Sequence, residues 1–223
     1  MSTLQRVRLQ SIRAQSRAAP ARRLTARRAR PDKEETHELT KVKALKPDIL
    51  VVSGHSKDAV TAGRQIKDMR IDVPMIAVTH CEAAKLVEKF GAAADGFLCP
   101  TQWAETLSYS GPVFGSAKDF DAAFKKAYPD YKTVPYQAAQ AAAAVMVWKD
   151  AFERAQSFDT AKLRDTLAET DMQTFYGRIK FSAQGNNIAK PMVLRQIQNG
   201  EFVVVAPVKW ASHPVAFPRK VSD

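Results

Sequence analysis

Asp48-Ile49-Leu50-Val51-Val52-Ser53-Gly54-His55-Ser56 is the stretch on which the fold turns. Five residues, four of them β-branched or aliphatic, run unbroken from Pro47 to a Ser-Gly pair. A short continuous apolar run of this kind predicts a strand buried on both faces, as in a parallel sheet. Upstream, Glu38–Leu45 reads as the end of an amphipathic helix that Pro47 stops. Downstream, Ser56 is a candidate N-cap for a helix over Asp58–Met69, with Val60, Ile66 and Met69 as its apolar positions.

The same alternation then repeats. Met75-Ile76-Ala77-Val78 predicts a second buried strand, with Thr79-His80-Cys81 as its exit loop. Glu82–Phe90 reads as a helix closed by Gly91, and Phe97-Leu98-Cys99 as a third strand. Residues 37–100 therefore read αβαβαβ, the pattern of a parallel sheet with right-handed crossovers. Ligands of such sheets sit beyond the carboxyl ends of the strands. Here those ends are the loops at Ser53–Ser56, Thr79–Glu82 and Pro100–Trp103.

The texture changes after Trp103. Ala104–Gly115 is loop-like. Helices are predicted over Ser116–Tyr128, Pro135–Ala155 and Asp159–Glu169, with Ser116 and Asp159 as N-caps and Pro135 in a favourable first-turn position. Gly177–Phe181 reads as a strand, and Asn199-Gly200 as the turn of a hairpin between Met192–Gln198 and Phe202–Val205. Residues 108–190 thus hold three helices and little sheet. Helices with apolar faces and no strands of their own call for a sheet encoded elsewhere.

The net charge of +11 is unevenly placed. Nine arginines fall in residues 1–30, with no Lys, Asp or Glu, which leaves +2 for residues 31–223. A nucleic-acid-binding domain needs a basic face on its folded part, and here the excess sits in a tail. That tail lacks the apolar core of a secretory signal. Residues 1–36 read as a basic, disordered tail. The abrupt change of character near Pro31–Thr36 favours text from a wrong start or shifted frame over a solvated arm or a targeting segment. No apolar run approaches the roughly 18 residues of a membrane span. Cys81 and Cys99 read as two small buried residues rather than a disulfide.

Several segments together resemble a known family. They are Lys43–Val52, Ala94-Asp95-Gly96-Phe97, Gly111-Pro112-Val113-Phe114, Tyr136–Ala141, Thr174–Phe181 and Met192–Gly200. In this order and spacing, from about Thr36 to Pro207, they resemble the C-terminal half to two-thirds of periplasmic solute-binding proteins of the leucine/isoleucine/valine type. The resemblance implies a truncated α/β fold of two lobes, lacking most of the first lobe's parallel sheet. Residues 37–103 would belong to the second lobe, 104–190 to the returning helical part of the first, and 191–223 to a crossover hairpin and an irregular tail. It implies a substrate-binding component of an ABC transporter for amino acids or small carboxylates, with ligand held in an interlobe cleft. The family's partner is a membrane permease and its compartment the periplasm.

Five residues become candidate ligand contacts. By resemblance Glu82 matches an acidic residue that pairs with a ligand ammonium, and a carboxylate at a strand end is suited to that. It also suits the first turn of a helix, where the macrodipole favours it. His55 matches a position where a ring covers the ligand, or is a solvated loop residue. Trp103 either walls the cleft or packs the hinge, with packing favoured. Tyr136 and Gln140 lie one turn apart on one helix face, to line the cleft or to serve as ordinary helix residues.

No catalytic residue, cofactor or metal is expected. His80-Cys81-Glu82 has no second cluster at ligand spacing, and no phosphate loop, dinucleotide fingerprint or nucleophile elbow occurs. The expectation is a binding protein, not an enzyme. A receiver-like signalling domain is an alternative for residues 47–100, but Ser53-Gly54 stands where a phospho-acceptor Asp belongs and Cys99-Pro100 where a Lys belongs. A basic-armed nucleic-acid binder is a second alternative.

Overall fold

The computed structural model describes residues 34–219. The expectation of a disordered tail over residues 1–36 falls almost entirely outside them. Two compact units emerge. Unit 1 comprises the described residues up to Pro100, with Leu194–Val205 and those from Ala211 onward; unit 2 comprises Thr101–Val193 and Ala206–Trp210.

Unit 1 is built on a five-stranded sheet of order β1-β2-β3-β8-β9. Its first three strands are β1 (Ile49–Val52), β2 (Met75–Val78) and β3 (Leu98–Thr101), which pair in parallel. Helices α1 (Glu34–Leu45) and α2 (Ser56–Asp68) provide Leu39, Val42, Ala59 and Ile66 to a core shared with Ile76, Val78 and Phe97. The predicted N-cap moves by one residue. His55 holds the extended N-cap backbone, and its N–H donates to Asp58 Oδ2 at 2.8 Å.

Three further expectations are corrected in unit 1. β1 is half exposed rather than buried on both faces: alternate side chains point to opposite faces, and on one of them Ile49 and Val51 stand 43% and 38% exposed. The helix expected from Glu82 begins only at Leu86. Residues 81–85 form turns, with His80 and Lys85 at positive φ, and α3 covers Leu86–Phe90. Cys81 and Cys99 are buried, as expected, but joined in a disulfide. β2 and β3 are neighbours, so the β2 exit brings the two Cα atoms to 5.9 Å, within reach of such a bond.

The chain returns to unit 1 through the hairpin β8 (Val193–Gln198) and β9 (Glu201–Ala206). Asn199 and Gly200 take φ of 53° and 78°, the conformation a two-residue turn between right-twisted strands requires.

Unit 2 contains α4 (Ala117–Ala127), α5 (Tyr136–Ala155) and α6 (Thr160–Ala168). Ser116 and Asp159 cap as predicted: Asp119 N–H donates to Ser116 Oγ at 3.1 Å, and Lys162 N–H to Asp159 Oδ1 at 2.8 Å. The strands here are short ribbons, β4 (Ser110–Gly111) with β5 (Gly115–Ser116), and β6 (Asp171–Thr174) with β7 (Gly177–Lys180). Sequence reading found β7 but not β6, whose Asp-Met-Gln-Thr has little β-propensity. Its core is aromatic. Phe120 stacks on Phe175 with centroids 4.1 Å apart, and Trp103 meets both edge-on. Among the described residues no helix is long and apolar enough to cross a membrane.

Candidate ligand-binding site

In unit 1 the loops at the carboxyl ends of β1 and β2 are tied to each other. Thr79 N–H donates to Val52 O at 3.1 Å, Gly54 N–H to Thr79 Oγ1 at 3.0 Å, and the Thr79 hydroxyl to Gly54 O at 2.7 Å. This clasp places the rings of His55 and His80 with centroids 5.6 Å apart, tilted by 55°. His55 is exposed and His80 half-buried. The Cys81–Cys99 disulfide then fastens the β2 exit to β3. Two imidazoles beside a polar loop, beyond the strand ends of a parallel sheet, can donate to or accept from a small polar ligand.

Glu82 is placed differently from what its neighbours imply. It is buried, and its carboxylate forms an ion pair with Arg195 on β8. Both side chains are only 2% exposed. The Arg195 guanidinium also lies over the Phe202 ring of β9, 4.9 Å from its centroid. Burial pulls Arg195 down to about 9, so it is still a cation at neutral pH. The partner that Glu82 finds is therefore a guanidinium of its own unit. Arg195 drew no notice in the sequence; an Arg amid Val193, Leu194 and Ile197 was the available signal, since an isolated charge in an apolar strand needs a buried counter-charge.

The other three candidates lie in unit 2 and are described there. Trp103 is 1% exposed, and its indole N–H donates to Phe175 O at 3.2 Å. It packs the aromatic core against Phe120 and Phe175. Tyr136 is half-buried at the start of α5, and burial pushes its hydroxyl pKa up. Gln140, one turn on, is exposed and borders an apolar groove of about 880 Å³ with Ala144, Trp148, Leu163, Tyr176 and Ile179.

Beside that groove is a cluster that no local sequence signal marks. Tyr176 donates its hydroxyl to Gln102 Oε1 at 2.8 Å, and Lys190 Nζ lies 3.5 Å from the Tyr176 ring centroid and donates to Gln102 O. Desolvation brings Lys190 down to about 7 and pushes Tyr176 up beyond the ordinary phenol range. The lysine stem crosses Gly177, where a Cβ would fall 2.8 Å from Lys190 Cδ. No group of three or more His, Cys, Asp or Glu among the described residues is arranged to hold a metal.

Residues 30–201 match the family described as periplasmic binding protein. The chain belongs to the periplasmic binding protein family. Solved structures agree. A leucine-binding protein of Thermotoga maritima is 26% identical, with a TM-score of 0.67 over 78% of this chain and 48% of its own. An ABC-transporter solute-binding protein of R. palustris in complex with benzoate is 21% identical, with a TM-score of 0.61 over 86% of this chain and 49% of its own. A leucine-, isoleucine-, valine-, threonine- and alanine-binding protein of Brucella ovis is 14% identical, with a TM-score of 0.62 over 81% of this chain and 48% of its own. The last two show the fold alone. This periplasmic binding protein chain spans about half the length of the solved structures it matches. The family match runs through the receiver-like segment, so that likeness is shared α/β grammar.

Proposed function

We propose that this chain is the ligand-selecting portion of an ABC-transporter solute-binding protein for amino acids or related small carboxylates. It works by binding, with no covalent step, and a membrane permease receives the solute. The observation that carries this is the pair of clasped loops at the carboxyl end of the unit 1 sheet, with the His55 and His80 rings 5.6 Å apart, in a chain of this family. His55 would cover the solute; in unit 2, Tyr136 and Gln140 are the candidate contacts, half-buried and exposed respectively. The Cys81–Cys99 disulfide supports an oxidising compartment such as the periplasm.

The choice of assay follows from where the chromophores lie. Trp103, Trp148 and Trp210 all belong to unit 2, so tryptophan fluorescence does not report on the unit 1 loops. Differential scanning calorimetry of the full chain, with leucine, glutamine, phenylalanine and benzoate each added in excess, reads both units. A solute bound by the native state raises a transition by mass action. A raised midpoint with at least one of them, lost in His55→Ala, is the expected result. A thermogram that no solute moves would sink the reading.

A further inference from the structure

Glu82 and Arg195 are described residues with oppositely charged, almost wholly enclosed side chains in contact, and Glu82 follows the β2 exit loop that carries His80. Cys81, the residue before Glu82, is bonded to Cys99 on β3, and Arg195 issues from β8, the next strand along. Backbone and covalent structure thus hold both ends of the pair. The Phe202 ring under the guanidinium fixes it further.

An ammonium seeking Glu82 would have to displace Arg195. That would leave a guanidinium buried with no counter-charge, the costliest way to break such a pair. Taken together, the two side chains carry no net charge. An ammonium that loses its water on entering the site finds the Glu82 charge already neutralised by Arg195. A solute of the same shape without that group avoids the loss, and recognition that strands one polar group discriminates strongly between such partners.

We propose that Glu82 and Arg195 form a closed internal pair, so that unit 1 selects carboxylates lacking an α-ammonium group rather than α-amino acids. The ligand class rests on the solute-binding reading; the closed pair does not.

Two experiments on the full chain separate them. The first is a thermodynamic cycle without ligand, using Glu82→Gln, Arg195→Met and the double variant in urea, followed by circular dichroism. Each single substitution strands one buried charge or its partner's hydrogen-bonding groups and is expected to raise the unfolding constant roughly a hundredfold. The double variant should recover most of that. Additive losses would overturn the closed pair. Should Arg195→Met not fold, Arg195→Gln with Glu82→Gln completes the same cycle, since both remove the charge.

The second compares matched solutes by calorimetry: leucine against 4-methylpentanoate, and phenylalanine against 3-phenylpropanoate. Each pair differs only by the amino group. The expected result is binding of the des-amino acid at least tenfold tighter, unchanged in Glu82→Gln relative to that variant's own baseline. Leucine bound tenfold tighter than 4-methylpentanoate, with the preference lost in Glu82→Gln, would overturn the proposal. If neither member of either pair moves a transition while the cycle shows coupling, the solute-binding reading and the ligand class fall together, and the closed pair stands alone as a structural tie.

Discussion

In unit 1, helices α1 and α2 lie on a five-stranded sheet, and the core between them is aliphatic, with a single ring, Phe97, fully inside. In unit 2, α4, α5 and α6 are accompanied by two two-stranded ribbons, and the core is filled with stacked and edge-on aromatics. A sheet offers a broad flat surface that Val and Ile cover efficiently. Without one, rings of 150–250 Å² bridge the gaps between helices. The contrast extends to chromophores, since every Trp and every Tyr of the chain falls in unit 2. Fluorescence therefore watches one unit and circular dichroism both, which makes the comparison testable.

The largest effect is expected at Trp103. It is buried against Phe120 and Phe175, and its indole hydrogen bond has no substitute. Trp103→Ala should cost about 3–5 kcal/mol, the usual loss for deleting a core aromatic. Trp148 and Trp210 then report a lowered urea midpoint for unit 2. If the circular dichroism of unit 1 shifts by the same amount, the units unfold as one and the contrast is only architectural.

Next comes the disulfide of unit 1. Cys81 and Cys99 are 18 residues apart in the chain. Closing a loop of that length removes unfolded-state entropy equivalent to about 3 kcal/mol. The double replacement Cys81→Ser with Cys99→Ser should lower the circular dichroism midpoint and leave the fluorescence transition in place. Equal displacement of both would contradict the independence of the units.

The contrast also explains what could be read from sequence. β1, β2 and β3 were legible because short apolar runs between loop residues have one stable use in an alternating α/β pattern, and α4 and α6 because Ser116 and Asp159 announce their first turns. The scarcity of strands in residues 108–190 was legible too. Three things were not. The pairing of Cys81 with Cys99 depends on strand order, which the local sequence does not encode. β6 exists because β7 needs a partner, with Asp171 held by Arg178 and Lys180, a long-range gain that outweighs poor propensity. The placement of Glu82 depends on Arg195, 113 positions later. A motif says which chemistry a residue can do, and the fold decides which partner reaches it first.

A smaller effect separates the units by pH. Lys190 has its pKa brought from the usual 10.5 to about 7 by burial against Tyr176. Between those values the unfolded chain carries a proton that folded unit 2 does not. Stability therefore rises with pH across that window and is lowest below about 7. Tyr176 works in the opposite sense above its ordinary value of 10.0, because the buried phenol keeps a proton that the unfolded chain gives up. The fluorescence midpoint should climb from neutral pH toward 10 and then turn down. Lys190→Met should abolish the climb. A climb that survives this substitution would place its origin elsewhere.

The smallest effect is expected where unit 2 is least finished. Val145 is 68% exposed and Trp148 is 47% exposed on the outer face of α5, and Phe158 beyond its end is 88% exposed. Single exposed apolar residues are ordinary, but Val145 and Trp148 are three apart on one face of α5, and the rings of Trp148, Phe152 and Phe158 form a continuous chain at 5.7 and 5.3 Å. Because Val145 gives up little burial, Val145→Glu should change the stability of unit 2 by less than about 0.5 kcal/mol. The carboxylate would nonetheless break the apolar face, so binding of a hydrophobic dye should fall clearly while the fluorescence midpoint hardly moves. The same substitution at Val147, one face around and only 6% exposed, should do the reverse and unfold the unit. If both behave alike, α5 does not have one covered and one open side.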